Sequence, residues 1–99
     1  MFCIAFDLDT KEVEKRHPKS SRRAYTDIEV ALGADGFKRI QGSVFAADTE
    51  DMSKLFSAFL ALKALKWFGP CVQDVRAFRT DKGSNFTALM KQADVKSKN

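Results

Sequence analysis

The side chains best suited to chemistry are an aspartate late in a strand, a serine after a glycine, and an arginine two residues from a second aspartate. The first is Asp7, in the stretch FCIAFDLDT over residues 2–10. There Phe2, Ile4, Phe6 and Leu8 alternate with Cys3, Ala5, Asp7 and Asp9, the period of a β-strand. The bulky side should pack beneath helices, each such burial contributing about 1.5–3 kcal/mol. The other side stays small until Asp7. A carboxylate there, on a rigid element and beside residues too small to cover it, can accept a proton or hold a hard cation such as Mg²⁺. The plainer alternative is a solvated strand-end acid or a turn cap.

Gln41, Gly42 and Ser43 offer amide, backbone N–H and hydroxyl donors able to cradle a phosphate. A turn in which Ser43 bonds its own backbone competes with that reading. Arg76 shares a strand face with Asp74; its fork fits a phosphate, whereas a surface ion pair contributes only about 0–1 kcal/mol. Arg39 and Arg79 read as solvated strand residues. The single histidine, His17, lies in a charged stretch before Pro18 and reads as an exposed bystander. Trp67 and Phe68 follow an apolar helix and read as packing rather than base stacking. Cys3 and Cys71 lack CxxC spacing and a histidine cluster, so they read as buried free thiols instead of zinc ligands.

These residues need elements to hold them. After the first strand, residues 11–21 are polar, with Pro18 discouraging helix at His17, and read as a long loop. Ser20 or Ser21 caps a helix over 22–34 that carries Tyr25, Ile28 and Leu32 on one stripe and ends at Gly33 and Gly36. Residues 37–41 and 43–48 are short strands about Gly42. Asp48, Thr49 or Asp51 caps a second helix reaching Lys66. Its Met52, Leu55, Phe56, Phe59, Leu62 and Leu65 form a broad apolar face expected to be deeply packed. Gly69 and Pro70 precede a last strand over 71–80, and residues 85–95 suggest a terminal helix. The order strand–helix–strand–strand–helix–strand predicts an α+β, ferredoxin-like split βαβ sandwich with an extra C-terminal element and one antiparallel sheet. Its first and third strands should lie at the centre.

The chain has 99 residues, enough for one domain over 1–99, with 44% apolar content and nine Phe to supply a core. No run of eighteen apolar residues predicts a membrane span, and no export signal is visible, so the cytoplasm is the expected compartment. Seventeen Lys and Arg against thirteen Asp and Glu give a net charge of +4. That permits contact with a polyanion without requiring it. With helices on one face only, the Cys3, Ala5 and Asp7 face should meet water or a second subunit, which points to a two-fold homodimer.

Four blocks carry a more specific signal: AFDLDT after Ile4, QGSV from Gln41, WF at Trp67 and Phe68, and VQDVRAF from Val72. In this order and at these separations they resemble the virulence-associated protein D (VapD) family of small endoribonucleases. The resemblance runs from Met1 to about Thr87. It implies a fold similar to the CRISPR-associated spacer-acquisition nucleases, RNA as substrate, a homodimer, and a toxin paired with a small protein antitoxin. The family's aspartate matches Asp7, its serine Ser43 and its arginine Arg76, which are the catalytic candidates. Asp7 is either one of two symmetry-related carboxylates holding Mg²⁺ or the base for a ribose 2′-hydroxyl. A catalytically silent ferredoxin-like module that binds RNA or protein is the alternative; it would dimerise and retain RNA without cutting it. The string Asp7-Leu8-Asp9-Thr10 also resembles the first motif of haloacid dehalogenase-type phosphatases. It lacks one residue of that motif, and the chain is too short for the doubly wound domain the motif needs.

Overall fold

The computed structural model describes residues 1–17 and 21–81. Strand β1 (Phe2–Leu8) runs into helix α1 (Thr10–Arg16), followed by α2 (Ser21–Gly33). Strands β2 (Lys38–Gln41) and β3 (Val44–Ala47) form a hairpin, and α3 (Met52–Ala64) and the single turn α4 (Phe68–Cys71) lead to β4 (Val72–Arg79). All four strands join one antiparallel sheet in the order β2-β3-β1-β4, with the first and third strands central. This is the expected ferredoxin-like α+β plan.

The alternation in β1 does what its spacing requires. Phe2, Ile4, Phe6 and Leu8 enter one core cluster with Ile28 and Leu32 of α2, Leu55 and Leu62 of α3, and Phe68 of α4. Phe6 lies at the centre of the aromatic packing, stacked on Phe45 and edge-on to Phe68. Two glycines set the connections. Gly36 takes φ +84° after α2, where the Phe37 N–H reaches back to the Leu32 carbonyl. Gly42 takes φ +52° at the first central position of the β2–β3 hairpin, the place a II′-type turn reserves for glycine.

The segment after β1 is not a loop throughout. Asp9 accepts from the N–H groups of Lys11 and Glu12 and so caps α1, and Val13 plants that short helix in the core. Its single apolar anchor left almost no periodicity to read. His17, expected in solvent, is buried at the end of α1: its Nε2 lies 2.7 Å from Asp27 Oδ2 and its ring meets the edge of Trp67 at 5.2 Å. Helix α3 buries only part of the expected face. Leu55, Ala58 and Leu62 point inward, whereas Met52, Phe56 and Leu60 are exposed, the last two by 63% and 66%. Nor is the sheet's second face bare along its length, because Cys3 and Val44 are buried there. Cys3 is a small side chain on a central strand, flanked by Ala46 and Phe78. Half-buried Asp7 marks the more accessible end of that face. The expected helix over 85–95 lies outside the described residues. Among the described residues, no helix is long and apolar enough to cross a membrane.

Candidate functional site

Asp7 stands next to the last residue of β1, on the side away from the core cluster. Its partner across the β1–β4 ladder is Asp74. Immediately beyond, Leu8 pairs with Val72, so Gln73 is an extra residue on β4 and the register slips beside the two acids. Such bulges re-aim side chains and sharpen the local twist. Opposed residues in an antiparallel pair hold their Cβ atoms about 4.5–5.5 Å apart, which brings the two carboxylates within reach of one small ligand.

Arg76 completes this group. It lies across from Ala5, whose methyl leaves room for it, and its Nε is 3.3 Å from Asp74 Oδ2. The Arg76 side chain is 48% exposed, so a phosphate arriving at this face can compete for it. Asp7, Asp74 and Arg76 thus form a half-exposed patch of two acids and a base. Among the described residues no three His, Cys, Asp or Glu side chains converge as a metal cage. Two carboxylates nevertheless suit Mg²⁺, which keeps several waters and takes one or two carboxylates together with substrate phosphates.

Ser43 is held at the same end of the sheet but turned the other way. Its carbonyl accepts from the N–H of Phe6, the residue before Asp7, while its hydroxyl is 3.1 Å from the hydroxyl of Tyr25 on α2. The fold therefore gathers Asp7 and Arg76 on one face and places the Ser43 hydroxyl toward the helical layer. Arg39 is not simply solvated. Its Nε donates to the Gly42 carbonyl at 2.7 Å, its Nη1 reaches Glu29 at 3.3 Å, and its guanidinium covers the Tyr25 ring at 5.1 Å. The hairpin turn is thus braced from α2. Arg79 is likewise engaged, with Glu50 at 3.3 Å and the Phe2 ring at 5.2 Å.

Sequence spacing did not single out Asp74 as the partner of Asp7, nor Tyr25 as the partner of Ser43. Asp74 was visible only as the neighbour of Arg76, because the bulge at Gln73 fixes the cross-strand register. Tyr25 carried a helical-stripe signal that reads equally well as core.

No protein-family model matches the chain. Individual proteins do. It is 48% identical over 91 residues to an "Endoribonuclease VapD homolog" of Neisseria gonorrhoeae, an alignment covering 92% of this chain and 99% of that protein. Identity to "Endoribonuclease VapD" of Haemophilus influenzae is 45% over 91 residues, with 92% and 99% of the two chains covered. Identity to "Endoribonuclease VapD" of Dichelobacter nodosus is 37% over 93 residues, covering 94% and 100%.

Proposed function

The chain belongs to the VapD endoribonuclease family, and from that premise we propose that it is an endoribonuclease whose working carboxylate is Asp7. The observation that carries this reading is the near full-length similarity to proteins named for that activity. The opposition of Asp7 and Asp74 beside Arg76 supplies a place for the chemistry.

In the proposed reaction Arg76 holds the scissile phosphate, which its planar fork suits. Asp7 takes the proton from the adjacent ribose 2′-hydroxyl, a general-base step of a kind that contributes about 10²–10⁴-fold. The 2′-oxygen bonds to phosphorus, the bond to the 5′-oxygen breaks, and that oxygen takes a proton from solvent. The products are a 2′,3′-cyclic phosphate and a 5′-hydroxyl. Asp74 keeps Arg76 in place through the ion pair at 3.3 Å. Ser43, tied to Tyr25, fixes the hairpin beside the end of β1. Asp7 and Asp74 would be the residues to hold a Mg²⁺ ion, which would supply neutralising charge to the phosphate, but the step through the Asp7 base does not require it.

The wider setting we propose is a cytoplasmic homodimer that acts as the toxin of a toxin–antitoxin pair, held in check by a small protein antitoxin. Strand β4 supports the dimer: it is eight residues long, lies at the edge of the sheet among the described residues and leaves Val75 40% exposed. An edge of that length invites pairing with another chain.

The decisive experiment digests single-stranded RNA with and without EDTA, beside Asp7→Asn, and identifies the ends. Cleavage to cyclic phosphate in EDTA, lost in Asp7→Asn, is the expected result. RNA retained intact by a folded wild-type protein would overturn the enzyme reading in favour of a silent binding module.

A further inference from the structure

On the helical side of the molecule, at the same end as Asp7, Arg16, Lys66, Trp67 and Pro70 line a cleft of about 540 Å³. Two of the four are cations from different elements, Arg16 ending α1 and Lys66 just beyond α3. Among the described residues no carboxylate lines the cleft. Glu12, the nearest acid on α1, pairs with Lys15 at 3.6 Å and with Arg16 Nε at 2.9 Å. Lys66 is exposed. The apolar wall is rigid, because Trp67 is held from behind by the His17 ring at 5.2 Å and by Phe68 at 6.0 Å. His17 is fixed in turn through Asp27.

Continuity with the candidate active site gives this cleft its meaning. Pro70 adjoins Cys71, whose carbonyl accepts from the Asp9 N–H, so the cleft begins where β1 and β4 end their pairing. From Cys71 to Asp74 the chain covers on the order of 10 Å at strand rise. We propose that this cleft is a second contact for single-stranded RNA, taking a phosphate and its nucleoside a short distance along the strand from the bond held at Asp7. Arg16 and Lys66 hold the phosphate, and Pro70 with the narrow margin that largely buried Trp67, 9% exposed, shows to the cleft bounds the sugar and base. An extended chain crossing the end of β1 reaches both sites, whereas a dinucleotide reaches only the first. The proposal rests on the ribonuclease reading for its choice of polyanion.

The test uses the full chain and a 2′-O-methylated strand of about twelve nucleotides, within the span of known single-strand sites. The 2′-O-methyl groups block 2′-hydroxyl attack and added EDTA blocks metal-assisted cutting, so the probe stays intact. Trp67 is the only tryptophan, so its fluorescence should change on saturation. Arg16→Ser with Lys66→Ser should weaken binding about tenfold and lower the salt slope by about 0.7, one single-strand phosphate's worth. Cleavage of a dinucleotide should be unchanged while cleavage of a long RNA slows. Unaltered affinity and salt slope in the double variant, or a silent Trp67 at saturation, would overturn the cleft alone. A wild-type protein that binds with the Trp67 signal yet never cleaves RNA would instead keep the cleft and remove the nuclease. Equal weakening toward an acidic peptide and the strand would show a general anion surface and overturn the assignment to RNA.

Discussion

Asp7 of β1 and Asp74 of β4 face each other directly across the sheet, with the register slipping at the next residue. Like charges so placed oppose pairing, and among the described residues Asp74, unlike Asp7, has an ion-pair partner, Arg76, close at hand along its own strand.

Replacing Asp7 by Asn should therefore separate activity from stability. The rate of RNA cleavage should fall about 10²–10⁴-fold, while the urea midpoint stays level or rises by the equivalent of up to about 1 kcal/mol as the repulsion is relieved. Cleavage assays and denaturation on the same preparation check both halves. An active Asp7→Asn protein would dismiss the proposed base.

The Tyr25–Ser43 hydroxyl pair at 3.1 Å predicts coupling between α2 and the hairpin. Tyr25→Phe and Ser43→Ala should each cost about 0.5–1.5 kcal/mol. The double variant should cost less than their sum, which a double-mutant cycle reads directly. Activity should fall alike in Ser43→Ala and Tyr25→Phe, because each breaks the same bond between the hairpin and α2.

Asp9 offers a clean contrast between two substitutions. Asp9→Ala removes the cap of α1 and should cost about 0.5–2 kcal/mol, whereas Asp9→Asn keeps a good cap and should be nearly neutral. Cleavage should survive in Asp9→Asn. Loss of activity there would revive a reaction in which the second acid of the DLD string takes part.

The two thiols make stability depend on alkaline pH. Burial pushes both Cys3 and Cys71 above the ordinary thiol range. The folded chain thus keeps protons that the unfolded chain has already released. Their contribution is fully present below the unfolded value, about 8.5, and is lost as pH rises toward the folded values. Urea midpoints should decline between about pH 8 and pH 10, and Cys3→Ala with Cys71→Ala should flatten that decline.

Strong periodicity made much of this molecule legible beforehand. The β1 alternation located the core face and Asp7 together, and the element order implied a sheet with β1 and β3 inside, as found. What escaped notice depended on contacts between segments. Helix α1 rests on one cap and one buried valine. His17 is drawn inward by Asp27 and Trp67, which the local charged sequence could not announce. The outward turn of Phe56 and Leu60 was hidden because apolar side chains extend well past the buried stripe of Leu55, Ala58 and Leu62, so that the two read as its margin although Ser53 and Ser57 mark the outer side. Asp74 joined Asp7 only once the bulge at Gln73 had set the register.

The central place of β1 carries a consequence for how the protein is made. Strand β1 leaves the ribosome before the other described elements, yet its neighbour β4 is the last of them to emerge. A nascent or prematurely terminated chain therefore owns Asp7 without Asp74 or Arg76. Any cutting that needs all three waits until β4 has been made.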